Sequence, residues 1–165
     1  MGVITPGVYV AKADFKFNAA HFVAYEGFRE RLHGHNYTVA VHFEAEGIQA
    51  DGYVMDFGDI KAVTRRLCKK LNELFLCPAK SDVLEISVNH GQLNIACQDG
   101  AKFQFPVADA IMLPIKHTTV EELSHYFVRS SQAAHFIISA FHALILLSIR
   151  IAVNCIMLIC ACTIK

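Results

Sequence analysis

Hydrophobic and polar positions alternate over about residues 8–17, with Tyr9, Ala11, Ala13, Phe15 and Phe17 on one side of the chain. Period-two alternation predicts a strand with one buried face. A second strand is expected over about residues 37–45, where Tyr37, Val39, Val41 and Phe43 share a face and Thr38, His42 and Glu44 take the other. The stretch between, residues 22–32, carries Glu26, Arg29, Glu30 and Arg31 and reads as a loop. After an Asp51-Gly52 turn the period becomes helical. Ile60, Val63, Leu67, Leu71 and Leu74 recur on one side with Lys61, Arg65, Lys69 and Lys70 outward, predicting a helix from Asp59 to about Leu74. Residues 83–88, 93–97 and 103–105, separated by Asn89-His90-Gly91 and Asp99-Gly100, predict a small meander with glycine turns. Thr119, with Glu122 three residues on, carries a capping-box signature and starts a second helix through Leu123 and Phe127.

The pattern then changes. No acidic residue follows Glu122, and residues 135–164 are almost wholly apolar apart from Arg150. Arg150 splits them into two runs of about fourteen residues, short of the roughly 20 that a spanning helix needs. A single tilted span would bury Arg150 at a cost of about 2.5–3.5 kcal/mol, and no charge asymmetry flanks the segment to anchor it in a membrane. A core helix would need a polar face and a half-buried strand would need alternation; neither is present. The expectation is therefore one domain over residues 1–127 and an atypical apolar tail over 128–165. That tail is expected to be helical or poorly packed and unable to supply a strand in register, as translation of a retained intron or shifted frame would be.

Composition narrows the classes. A chain of 165 residues suits one hydrophobic core, and 15 basic against 15 acidic residues leave no basic excess for nucleic acid. The 54 % hydrophobic content and mean hydropathy of +0.36 average two unlike halves and do not by themselves indicate a membrane protein. Six cysteines, at 68, 77, 97, 155, 160 and 162, form no CxxC pair. The first nine residues lack a charged segment followed by a long apolar run, so reduced thiols and a cytoplasmic location are expected.

The sharpest chemistry lies in His33-Gly34-His35, with His21 upstream. On an extended backbone residues i and i+2 face the same way, so His33 and His35 can grip one ion. His21 joins them if the two strands pair antiparallel. Three neutral imidazoles and an open fourth position suit a catalytic zinc, and no cysteine precedes Cys68 to build a closed thiolate site. His42, His90 and His125 read as surface residues.

Four segments in order, Phe17-Asn18-Ala19-Ala20-His21, Leu32-His33-Gly34-His35-Asn36-Tyr37, Asp51-Gly52-Tyr53-Val54-Met55-Asp56-Phe57 and Thr119-Val120-Glu121-Glu122-Leu123, resemble the 6-pyruvoyl-tetrahydropterin synthase family, which includes the queuosine-pathway carboxy-tetrahydropterin synthases. The resemblance covers about residues 8–127. It implies an α+β tunnelling fold, an antiparallel sheet with two helices on one face, whose subunits form trimers that stack into hexamers. It further implies zinc on His21, His33 and His35, and 7,8-dihydroneopterin triphosphate as the substrate. Substrate-side residues are implied at the start of the second helix: Thr119 and Glu121 or Glu122.

Three departures from the family pattern stand out. The usual proton-transferring cysteine ahead of HGH is absent from Gly27-Phe28-Arg29-Glu30-Arg31-Leu32, and Glu30 takes its place. This resembles a branch from protozoan parasites whose product is 6-hydroxymethyl-7,8-dihydropterin, for folate synthesis, instead of 6-pyruvoyl-tetrahydropterin, for biopterin synthesis. A carboxylate can serve as the base if zinc positions the substrate and burial raises its pKa; alternatively Glu30 is a loop carboxylate paired with Arg29 or Arg31. The Asp-His pair expected after the first helix aligns with Asn72-Glu73, leaving His117 as a substitute or as a surface cap. The last family strand's pterin-anchoring glutamate has no acidic counterpart, a loss worth several kcal/mol of recognition. The alternative to an enzyme is therefore a catalytically impaired zinc-binding scaffold.

Overall fold

A computed structural model of the chain describes residues 7–45, 47–48, 50–54, 56–133, 145–153 and 156–163. The first strand, β1 (Gly7–His21), pairs antiparallel with β4 (His33–Ala45). Between them sits a minute hairpin, β2 (Ala24–Tyr25) and β3 (Phe28–Arg29), where a plain loop was expected. The alternation in β1 is correct for Phe15 and Phe17, which are buried, but before them Val10 is inside and Tyr9 is 54 % exposed. A bulge explains the reversal. Chain β1 takes five residues from Ala11 to Lys16 while β4 advances two, from Ala40 to Thr38, and an odd surplus moves every earlier side chain to the opposite face.

Helix α1 (Phe57–Leu71) is capped by Asp56, whose carboxylate accepts the Gly58 N–H at 2.6 Å. It starts two residues earlier than the hydrophobic spacing indicated and ends at Leu71, not Leu74. Asn72 is already extended, which ends the helix; Glu73 follows at φ +61°, and its N–H bonds Asn18 O at 2.6 Å. Leu74 instead opens β5 (Leu74–Pro78), parallel to β1. The meander is as predicted: β6 (Leu84–Asn89), β7 (Gln92–Cys97) and β8 (Lys102–Pro106) form a three-stranded antiparallel sheet. His90 and Gly91, at φ +50° and +75°, make its two-residue turn. Strand β9 (Ala110–Leu113) pairs parallel to β5, and α2 (Val120–Ala133) follows.

The tail corrects the sequence reading. Helix α2 runs through residue 128 without a break, and β10 (Ile145–Val153) pairs antiparallel to β4 along its whole length, with Ile151 opposite Val39. Strand β11 (Ile156–Thr163) completes the main sheet, in the order β11-β10-β4-β1-β5-β9. The expected helix or poorly packed segment is a strand pair. Alternation reports one solvated face, whereas backbone ladder bonds to neighbours on both edges require no polar residues. Residues 134–144, 154–155 and 164–165 of the tail lie outside the described residues.

This is an α+β fold with two helices on one face of a largely antiparallel sheet. Both helices contribute to a single core, in which Phe15, Phe17, Tyr37, Val39, Phe43 and Ile151 from the sheet meet Leu67, Leu71, Leu123 and Phe127. A second cluster, around Phe22, Phe75, Leu93 and Ile95, seats the meander against the end of β1. Cys68, Cys77 and Cys97 are buried free thiols; burial pushes Cys68 and Cys77 up to about 12, so they carry no thiolate chemistry. Among the described residues no helix is long and apolar enough to cross a membrane.

Candidate metal centre and base

The β1–β4 register assembles the three histidines. His21 is directly opposite His33, and Ala19 is opposite His35. Residues 19, 21, 33 and 35 therefore share one face, with the His21 ring against both others at centroid distances of 4.7 and 5.1 Å. One ligand atom from each of His21, His33 and His35 lies within 4.8 Å of the other two. His33 and His35 bring their Nε2 atoms to 3.0 Å.

The outward nitrogens are held. His33 Nδ1 lies 2.7 Å from Arg31 O and His21 Nδ1 lies 3.1 Å from Thr118 Oγ1. His21 is buried, and its Nε2 has no hydrogen-bond partner. An orphaned lone pair beside two further imidazoles is what a metal ion would satisfy. Burial holds the His21 ring down to about 4, reinforced by the facing His33 and His35 rings and opposed by the Glu30 carboxylate. Burial and His33 also lower His35. These rings are consequently neutral near pH 7, as ligation requires.

Glu30 is tied to the same corner. Its N–H donates to Val23 O at 2.9 Å and its Oε2 accepts the Val23 N–H at 3.0 Å, two residues past His21. Its charge acts on His21, His35 and Tyr37. Of the two arginines that could pair with it, Arg29 is engaged elsewhere: its guanidinium reaches Asp99 at 2.7 Å, and also donates to the Glu30 carbonyl, not its carboxylate. Glu26 is exposed at the hairpin tip. Tyr37, stacked on Phe17 at 4.5 Å, keeps its buried hydroxyl unpartnered below His35.

The helix-start residues separate. Thr119 accepts the Glu122 N–H at 3.4 Å, which is half of a capping box. The Glu122 carboxylate bypasses Thr119 and accepts the N–H groups of Lys116 at 2.8 Å and His117 at 3.2 Å. Glu121 is exposed on the first turn. His117 turns its Nδ1 to Ala24 O at 2.9 Å. Asn72 and Glu73, aligned with the missing Asp-His pair, line an open cleft of about 900 Å³ with Asp14, Lys16, Asn36 and Arg65; none of the three histidines borders it. Sequence reasoning missed Thr118, buried at 1 % exposure and touching a residue 97 positions away. A threonine ahead of a helix cap carries no signal of such a contact.

Fold and site define a tunnelling-fold protein with three histidines positioned to hold a metal ion. The family profile of 6-pyruvoyl tetrahydropterin synthase matches residues 10–150, and the chain belongs to that family. A solved Plasmodium falciparum 6-pyruvoyl tetrahydropterin synthase shares 34 % identity at a TM-score of 0.88, covering 97 % of this chain and 99 % of the other. Two Plasmodium vivax structures, at 31 % identity and TM-score 0.84 over 98 % of this chain and 99 % of theirs, are variants whose catalytic glutamate is replaced by alanine or by cysteine. A Methanocaldococcus jannaschii protein, provisionally named a 6-carboxy-5,6,7,8-tetrahydropterin synthase, is 30 % identical over 115 residues, 70 % of each chain.

Proposed function

We propose that this chain is a zinc-dependent lyase acting on 7,8-dihydroneopterin triphosphate, with Glu30 as its base and 6-hydroxymethyl-7,8-dihydropterin as its main product. The observation that carries the reading is the Glu30 carboxylate, hydrogen-bonded into the corner that holds the histidine triad. The P. vivax relative supports it, because a glutamate is its described catalytic residue. Of the two glutamates between β1 and β4, only Glu30 reaches the triad's surroundings.

His21, His33 and His35 would hold the zinc, which supplies Lewis acidity at the substrate's side-chain hydroxyls. Glu30 then accepts a proton from that side chain. Its Oε2 bond to Val23 fixes the carboxylate's position and leaves Oε1 for substrate. Glu121, exposed beside the site-facing segment, is the better substrate contact of the helix-start pair, since Glu122 spends its carboxylate on backbone N–H groups. The protein acts in the cytoplasm as a homo-oligomer.

Incubating zinc-loaded protein with 7,8-dihydroneopterin triphosphate and identifying the pterin released tests this directly. The hydroxymethyl pterin is expected. Release of 6-pyruvoyl-tetrahydropterin alone would reassign the product, and no turnover would favour a zinc-binding scaffold. One observation favours that second reading: no carboxylate occurs in β10 or β11 to anchor the pterin ring.

A further inference from the structure

Residues 116–118, ahead of α2, are bound on two sides. From behind, Glu122 accepts the Lys116 and His117 N–H groups. In front, the segment grips the chain leaving β1: His117 Nδ1 meets Ala24 O, and the Thr118 hydroxyl donates to Phe22 O at 2.9 Å. Thr118 Oγ1 also lies 3.1 Å from His21 Nδ1.

Proton counting decides the direction of that contact. A hydroxyl has one proton and a carbonyl can only accept. The Thr118 proton therefore goes to Phe22 O, and Oγ1 presents a lone pair to His21. Nδ1 then carries the hydrogen, and in a neutral imidazole Nε2 is left as the lone pair. Nε2 is the buried, unpartnered nitrogen of the triad. The reverse arrangement would leave Phe22 O without its donor and put a hydrogen where the metal belongs.

We propose that Thr118 is the positioning residue that fixes His21 as its Nδ1–H tautomer and orients its ring, so that the start of α2 sets the affinity of the three-histidine site. The proposal rests on reading the triad as a metal centre. Partners of this kind typically contribute 10–100-fold in metal affinity.

The experiment compares Thr118→Val, which keeps the shape and removes the hydroxyl, with Thr118→Ser, which keeps the hydroxyl. Zinc affinity is read by competition with a chromophoric chelator, and the His21 tautomer by 15N NMR of metal-free protein. Thr118→Val should lose about 10–100-fold in zinc affinity and show mixed tautomers, while Thr118→Ser stays close to the parent in both. Parent-like zinc binding by Thr118→Val overturns the proposal. So does an equal loss in both variants, which would assign the effect to packing. If Thr118→Val does not fold, the parent spectrum decides: an Nε2–H signal for His21 refutes the assignment and an Nδ1–H signal upholds it. A parent that binds no zinc would overturn the affinity claim and the metal reading together, while the nitrogen spectrum would still judge the tautomer assignment separately.

Discussion

Glu30 and Glu122 show how similar carboxylates acquire different work from their hydrogen bonds. Glu30 accepts one backbone N–H through a single oxygen, two residues past His21; Glu122 accepts two and becomes part of the scaffold. Glu30→Gln should retain zinc content and melting temperature while lowering turnover by roughly 10²–10⁴-fold, the range for a positioned acid–base group. Glu26→Gln should change it little, and equal activity of Glu30→Gln and the parent would remove Glu30 from the mechanism. Glu122→Ala leaves the Lys116 and His117 N–H groups without their acceptor. It should destabilise the fold by about 1–3 kcal/mol in urea unfolding; Glu121→Ala should cost much less and instead raise KM.

Among the elements, the β1–β4 ladder has the most direct functional consequence. Its bulge lies between Ala11 and Lys16, so the last six residues of β1, ending at His21, keep an unbroken register with β4. Helix α1 depends on Asp56 for its first N–H groups. Asp56→Ala should therefore cost about 1 kcal/mol without altering zinc binding, as the site touches no residue of that helix. Glu73 occupies the left-handed region at φ +61°, where a side chain is strained. Glu73→Gly should gain a few tenths of a kcal/mol or more, measurable as a higher urea midpoint.

At the scale of the whole molecule, the neutral His21 and His35 rings make metal-free stability depend on pH. His21 is held at about 4 in the folded protein against an ordinary 6.5, so between these values the unfolded chain binds more protons. The stabilising contribution is complete above about 6.5 and is lost as pH falls toward 4; His35 shifts in the same direction. Asp14, Asp82 and Asp99, held by Arg65, Lys116 and Arg29 below their ordinary 3.8, lose their contribution mainly at lower pH. The urea midpoint of metal-free protein should fall between pH 6.5 and 4.5, and His21→Asn should flatten that slope. Zinc should raise the midpoint most near neutral pH, where protons do not compete for the ligands.

How much of this was legible in the chain follows from the range of each interaction. Neighbouring residues determine the strand faces, the meander's His90-Gly91 turn, the amphipathic α1 and the same-face projection of His33 and His35, because backbone geometry alone fixes those periods. The family motifs also stand in the sequence. Tertiary structure decided the rest. The bulge that sends Val10 inward depends on a partner strand that can count two residues against five. The strand pairing of the apolar tail depends on β4 offering a free edge. The attachment of Glu30 to Val23, and of Thr118 to His21 across 97 positions, comes from hydrogen bonds whose partners no local pattern specifies. Short-range sterics are written residue by residue along a chain, whereas a buried donor's choice of acceptor exists only once the folded core has excluded water.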